Sequence, residues 1–347
     1  MTRIPRALGL SEEHVRTLLE ATRRAPSIHN TQPWRVRLTE PVIELYADPL
    51  RGLRITDPRG VELRLSCGAA LFNLRTTLRG FGIRPVVTVL PDPQRPHLLA
   101  AIRHGGRKVP TPELERLRRA IPLRRTNRRP FSNTPVATPD QHALRRAAHE
   151  EGAWLHLVHD QAQRTQLSRL AARAHDIQMS DPAFRAELAA WTGTGDDRPD
   201  GVPARAGGPL PAPQDVWVLR DFTDGDGPVR AAGKDFEAEP LIAVLSSHTS
   251  GPEAELQAGQ AMQRVLLTAT VSGLAVSFLS QLVEVASIRE QVRRLIDGTH
   301  QPQVVLRIGH GWPVAATPRR PIEELVLPEH ARSAPAGGPR PGDRSGR

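Results

Sequence analysis

Apolar residues in this chain recur first with a helical period and then with a strand period, and the alternation is repeated. Residues 12–24 place Val15, Leu18, Leu19 and Ala21 on one face, which predicts a helix. Pro26 ends it, because proline lacks a backbone donor. The alternating run 35–38 and the stretch 43–45 predict strands. Residues 67–83 predict an amphipathic helix closed by glycine, followed by strands at 86–90 and 98–102.

The same order then returns. Residues 259–274 (G-Q-A-M-Q-R-V-L-L-T-A-T-V-S-G-L) predict a helix that leads into a strand-like run at 275–279, and residues 241–245 predict another strand. Gly259 and Gly273 are spaced like Gly68 and Gly82, with apolar residues in register between them. V-V-L-R-I-G-H-G at 304–311 echoes L-A-A-I-R-H-G-G at 99–106. The pattern predicts an α+β unit written twice; two unrelated helix–strand pairs would show the same periodicity. The second copy begins near Leu123, ahead of an N-cap at Thr138 and a helix at 139–150. Residues 191–233 are dense in Gly, Pro and Asp, and a loop of that length is usually a lid or a disordered insertion. The Ser-, Pro-, Gly- and Arg-rich tail at 331–347 is expected to be disordered.

Composition changes this picture little. At 347 residues the chain can bury a substantial core. Its formal charge of +10 raises the question of nucleic acid. Yet Lys108 and Lys234 are the only lysines, the arginines are interleaved with acids, and there is no aromatic-rich basic repeat to stack bases. No nucleic-acid partner is expected. The single cysteine, Cys67, excludes an intramolecular disulfide and a Cys-based zinc site, and the histidines do not pair at metal-ligand spacing. No signal-peptide core is evident. The uncharged stretch 265–283 carries Thr, Ser, Gln and a central Gly273, so a buried helix, turn and strand explain it better than a membrane span. A soluble cytoplasmic protein is expected.

Candidate chemistry concentrates in two places. The loop A-P-S-I-H-N-T-Q-P-W at 25–34 crowds Ser27, Asn30, Thr31 and Gln32 between a helix and a strand. Such a loop suits the polar edge of a planar heterocycle such as a flavin; the same residues also serve as ordinary caps and turns. L-R-R-T-N-R-R-P-F at 123–131 packs four arginines ahead of a helix, an arrangement suited to a phosphate or to a solvated basic loop. Arg319 and Arg320 follow the predicted strand near 304–308 as a further basic pair, which alone reads as exposed.

The first loop resembles the flavin-edge motif of the nitroreductase family of FMN enzymes, P-S-x-x-N-x-Q-P-W, with Pro26, Ser27, Asn30, Gln32, Pro33 and Trp34 at its fixed positions. The resemblance implies ring-edge contacts from Pro26, Ser27, Ile28, Asn30 and Gln32. It aligns the family's phosphate-binding R-x-S-x-R with Arg124, Thr126 and Arg128, or, after a one-residue slip, with Arg125 and Arg129. Arg319 and Arg320 would join that phosphate site. Lys234 would sit near flavin N1 and C2, where an ordinary surface lysine is the alternative. Ser280 and Gln281 would form the turn beside N5, in place of the Glu-Gly found in other members.

The two copies retain different pieces, the ring-edge loop in the first and the arginine cluster in the second. That is similar to the Acg branch of the family, whose members are single-chain pseudo-dimers, and the likeness spans residues 10–328. It implies a nitroreductase-like α+β fold with central mixed or antiparallel sheets and flanking helices. The halves would be 1–110 and 111–330, with a partial lid at 191–233. One tightly held FMN per chain would pass hydride by ping-pong from transient NAD(P)H, through N5, to a small nitro-aromatic or quinone acceptor. The protein itself would supply no catalytic side chain and no metal. The chain would act as a monomeric pseudo-dimer, or as a homodimer. The alternative function is FMN sequestration with little turnover.

Overall fold

Ser11 caps the first helix, α1 (Glu12–Arg23), by accepting from the backbone N–H of His14, and Glu12 and Glu13 complement the positive end of its dipole. Its apolar stripe, Val15, Leu18 and Leu19, is wholly buried. In the computed structural model that follows, residues 5–195, 197–212, 215–223, 225–227 and 240–328 are described. Strands β1 (Trp34–Leu38) and β2 (Ile43–Ala47) come next, then a long helix α2 (Val61–Gly80) and strands β3 (Ile83–Val89) and β4 (Leu98–Arg107). Helix α2 begins six residues before the sequence-based boundary of 67. The Asp57 carboxylate accepts from the N–H groups of Val61 and Leu63, a cap that lies outside the apolar pattern.

Helix α3 (Pro112–Ala120) links this unit to a second one. The second opens with α4 (Thr138–His149) and β5 (Trp154–Val158). An insertion follows, comprising α5 (Gln161–Ser180), α6 (Pro182–Trp191) and two short strands, β6 (Thr192–Thr194) and β7 (Val202–Pro203). Then come β8 (Leu241–Ser247), α7 (Pro252–Val271) and β9 (Ala275–Phe278). The described chain closes with α8 (Gln281–Glu284), α9 (Ala286–Ile296), β10 (Gln301–Gly309) and α10 (Ile322–Leu325).

The two main sheets have the orders β1-β2-β4-β3 and β5-β8-β10-β9. Each therefore reads first, second, fourth, third, with a helix before the first strand and a long helix between the second and third. Every pairing within them is antiparallel, so neither is mixed. Strands β4 and β10, which carry the echoed segments, occupy the same position. The fold is α+β, in two diverged copies. Among the described residues no helix is long and apolar enough to cross a membrane; the uncharged stretch is the end of α7, β9 and the start of α8.

Helices α2 and α7 cross at glycine. A Cβ built on Gly68 would lie 2.3 Å from the Leu256 carbonyl oxygen, and one on Gly259 would lie 2.1 Å from that of Leu65. Only glycine permits backbones this close. One apolar core runs from β1 and β2 through this crossing to β8 and β10. Beside the glycines, Gln263 donates to Asn73 Oδ1 across the helix pair at 2.8 Å. A second core lies on the other face of the β8 sheet, under α5, α8 and α9. Burial on both faces accounts for β8 being buried at every residue.

Candidate functional site

The loop after α1 holds three non-glycine residues in the left-handed region, His29 (φ 45°), Asn30 (φ 57°) and Gln32 (φ 51°). Such a conformation costs on the order of 1–3 kcal/mol per residue and persists only when surroundings fix it. Ser27 Oγ accepts from the Gln32 N–H at 2.9 Å, and long-range bonds do the rest. Asn30 Nδ2 donates to the carbonyls of Gly201 (2.9 Å) and Pro318 (3.0 Å), and its Oδ1 accepts from Arg319 at 2.8 Å. Gln32 Nε2 donates to the Pro199 carbonyl at 2.9 Å, while its Oε1 accepts from the Arg320 N–H at 2.9 Å. The amides of Asn30 and Gln32 therefore tie the insertion and the C-terminal segment to the first copy.

The loop borders a two-chambered cavity. The larger chamber holds about 920 Å³ of empty space, including its mouth. Pro26, Ser27, Ile28 and His29 form one wall, and residues 277–281, which include Ser280 and Gln281, form another. Glu62 and Leu65 of α2, Met262 of α7, and Trp217, Arg220 and Phe222 of the insertion complete it. Pro26, Ser27, Thr126 and Arg128 are shared with the second chamber. That one is lined by Arg24, Arg124, Arg125, Arg128, Arg319 and Asn30, with no acidic residue among the described ones.

The arginine segment is fixed by pairing along β9. Thr126 bridges Val276, and the Asn127 N–H donates to the Val276 carbonyl at 2.8 Å. Asn127 Nδ2 donates to the Trp312 carbonyl at 2.9 Å. This register turns Arg124, Thr126 and Arg128 to the cavity; Arg125 joins them at the rim, and Arg129 is exposed. Burial, then the neighbouring Arg125 and Arg128, push the Arg124 guanidinium down to about 10. Burial and Arg220 bring Arg128 to about 10. Arg319 is held well below the usual range by burial and by Arg124, Arg24, Arg125 and Arg23. The Nε atoms of Arg124 and Arg319 are buried without a hydrogen-bond partner. A buried positive cluster with no counter-charge among the described lining residues fits a phosphate, which offers several acceptor oxygens and negative charge.

Arg320 is placed elsewhere. Its guanidinium donates to the Gln32 carbonyl at 3.1 Å and pairs with Glu324 at 3.2 Å, and it lines neither chamber. Neither does Gln32. Lys234 lies outside the described residues, as do 228–239 of the insertion and the tail from 329 onward. Sequence reasoning missed Arg24, His29, Glu62 and the insertion's Trp217, Arg220 and Phe222. Arg24 stands two residues before the motif and His29 fills one of its variable positions; the others carry no local signal. His29 is buried, with Nε2 unpartnered, and burial together with Arg220 and Arg128 lowers its pKa, so the ring is neutral at neutral pH.

A duplicated α+β scaffold around a cavity with one apolar, aromatic chamber and one cationic chamber is the class of protein these features define. No family model matches the chain. It is 36% identical over 324 residues to "Putative NAD(P)H nitroreductase Rv3131" of Mycobacterium tuberculosis, covering 90% of this chain and 91% of the relative. It is 32% identical over 321 residues to "Putative NAD(P)H nitroreductase acg" of the same organism, covering 90% and 94%. A solved nitroreductase with bound FMN from Bacteroides fragilis aligns with 63% of this chain and 97% of its own, at 12% identity and a TM-score of 0.37. The NADPH:FMN oxidoreductase of Vibrio harveyi, solved with NAD+, aligns with 63% and 79%, at 14% identity and a TM-score of 0.37. The chain belongs to the nitroreductase family of oxidoreductases.

Proposed function

We propose that the chain binds one FMN and uses it to carry electrons from NAD(P)H to a small quinone or nitro-aromatic acceptor. When bound, FMN supplies the hydride chemistry. Arg124, Arg128 and Arg319 would take the phosphate, with Thr126 and Ser27 beside it. Pro26 to His29 and residues 280–281 would face the ring from opposite walls, and Trp217 and Phe222 would shield it from water. The observation that carries this reading is the acid-free chamber of buried, under-bonded arginines opening onto an apolar, aromatic one. Each half supplies only part of the site, so the working unit is one chain built from residues 1–110 and 111–330, in a compartment where NAD(P)H is available. The purified chain is expected to be yellow, with about one FMN per chain, and to oxidise NADPH when menadione is added. A colourless chain that takes up no FMN ends the proposal.

A second reading, sequestration of FMN with slow turnover, is favoured by how firmly the cover is fastened. Arg220 of the insertion donates to Gln178 Oε1 (2.6 Å) and Glu284 Oε2 (3.1 Å), and both ends of that ion pair are buried. Gln178 Nε2 also donates to Glu284 at 2.6 Å. Removing one partner of a buried pair strands the other. Arg220→Ala should therefore loosen residues 215–223, making them protease-sensitive, and should raise quinone turnover several-fold if the cover limits it. Unchanged turnover with a demonstrably cleavable cover would rule out gating there.

A further inference from the structure

The cavity wall holds a carboxyl group that the flavin reading does not use. Glu62 stands in the first turn of α2, half-buried, and lines the larger chamber together with Leu65, Met262, Phe278 and the Ser280–Gln281 turn. Among the described residues it is the one acidic residue on the walls of either chamber. No hydrogen bond reaches its carboxyl from any described residue, whereas its charged neighbours are engaged. Asp57, in the loop before α2, accepts from Val61 and Leu63. Glu255 on α7 is paired with Arg64, and Glu284 on α8 with Arg220. Arg289 on α9 donates to the Pro302 carbonyl (2.7 Å) and to Gln303 Oε1 (2.8 Å).

We propose that Glu62 is the protein's proton donor to the acceptor reduced in this chamber, resting on the flavin reading above. Reduction of a quinone to hydroquinone requires a hydride and a proton. The hydride comes from reduced flavin, which is oxidised; the proton leaves the Glu62 carboxyl for the quinone oxygen, and solvent reprotonates the carboxylate. The group suits the task because its surroundings favour the neutral acid. Burial raises its pKa well above the usual carboxylate range, Glu284, Asp57 and Glu255 add to the rise, and Arg289 opposes it. The acid form is present below that raised pKa and is lost as pH climbs through it, so the rate should fall in the same direction. The wall of Leu65, Met262, Trp217 and Phe278 suits a planar, largely apolar acceptor.

The test uses the flavin-loaded chain, reduced anaerobically with dithionite and mixed with menadione. Wild type should reoxidise fast, slowing as pH rises through the Glu62 titration. Glu62→Gln should be about a hundredfold slower and flat with pH, the scale of a lost general acid, and Glu62→Asp should recover part of the rate. Infrared difference spectra of the flavin-free chains should show a protonated-carboxyl C=O stretch at neutral pH in wild type that Glu62→Gln lacks. Retained flavin with Glu62→Gln reoxidising at the wild-type rate, or no such band, overturns the proton-donor role alone. Failure of wild type to hold flavin overturns the functional reading and this role with it.

Discussion

Replacing both Arg124 and Arg319 with methionine should bleach the protein while leaving the flavin-free chain as stable as before, or more so. Each hydrogen bond to a charged group is worth roughly 1.5–3 kcal/mol. Losing two would weaken FMN binding by about 3–6 kcal/mol, or on the order of 10²–10⁴-fold in Kd, if the sites act independently. The opposite sign for stability follows from the same geometry. Both guanidiniums are buried, each lies near other arginines, and no described acid lines their chamber. Methionine keeps the aliphatic bulk and removes the self-repulsion, which offsets the lost Arg319–Asn30 hydrogen bond. Fluorescence titration of released FMN and thermal melts of the apo chain read the two effects separately. Wild-type FMN affinity in the double variant would place the phosphate elsewhere. Arg320→Ala is the useful contrast. It should leave the phosphate contacts intact and act only by loosening the Gln32–Glu324 clasp.

The second large effect concerns the crossing of α2 and α7. Gly259→Ala improves helix propensity by up to about 1 kcal/mol, yet it should destabilise the chain by roughly 3 kcal/mol, the upper end of overpacking costs. The added Cβ would meet the Leu65 carbonyl oxygen at 2.1 Å, its carbon at 2.9 Å and the Gly68 Cα at 3.0 Å. All three are backbone atoms, so no side chain can swing aside and the helices must separate. Leu65 and Met262 line the larger chamber close to that contact, and flavin affinity should fall too. Urea midpoints of the apo chain decide the matter. Equal or greater stability for the alanine variant would mean the two helices do not meet backbone to backbone.

How much of this was legible in the sequence varies with the range of the interaction. The matched glycines at 68 and 259 revealed the duplication, because backbone contact leaves a residue-type signature that survives divergence. The arginine segment was legible as a type, but its register was not. Pairing of Thr126 with Val276 along β9 decides which side chains turn inward, and that partner is remote in sequence. Arg319 and Arg320 are adjacent, yet one faces the cavity and the other Glu324, a difference set by the Gln32 contacts. The family resemblance put Asn30 and Gln32 at the ring edge, yet Asn30 borders the cationic chamber, Gln32 borders neither, and their amides reach residues 199–201 and 318–320. No local pattern encodes such partners. The helices of the insertion, α5 and α6, went unpredicted because their apolar faces are sparse; each buries only a few residues.

Residues 315–319 complete the cationic chamber, and Asn30 and Gln32 reach across to 318–320 to hold them there. A nascent chain emerging from the ribosome thus carries the loop at 25–34 long before the segment that closes the chamber. Cofactor capture must then wait until translation has passed this point, and any premature stop upstream of it yields a scaffold with an open, leaky phosphate end.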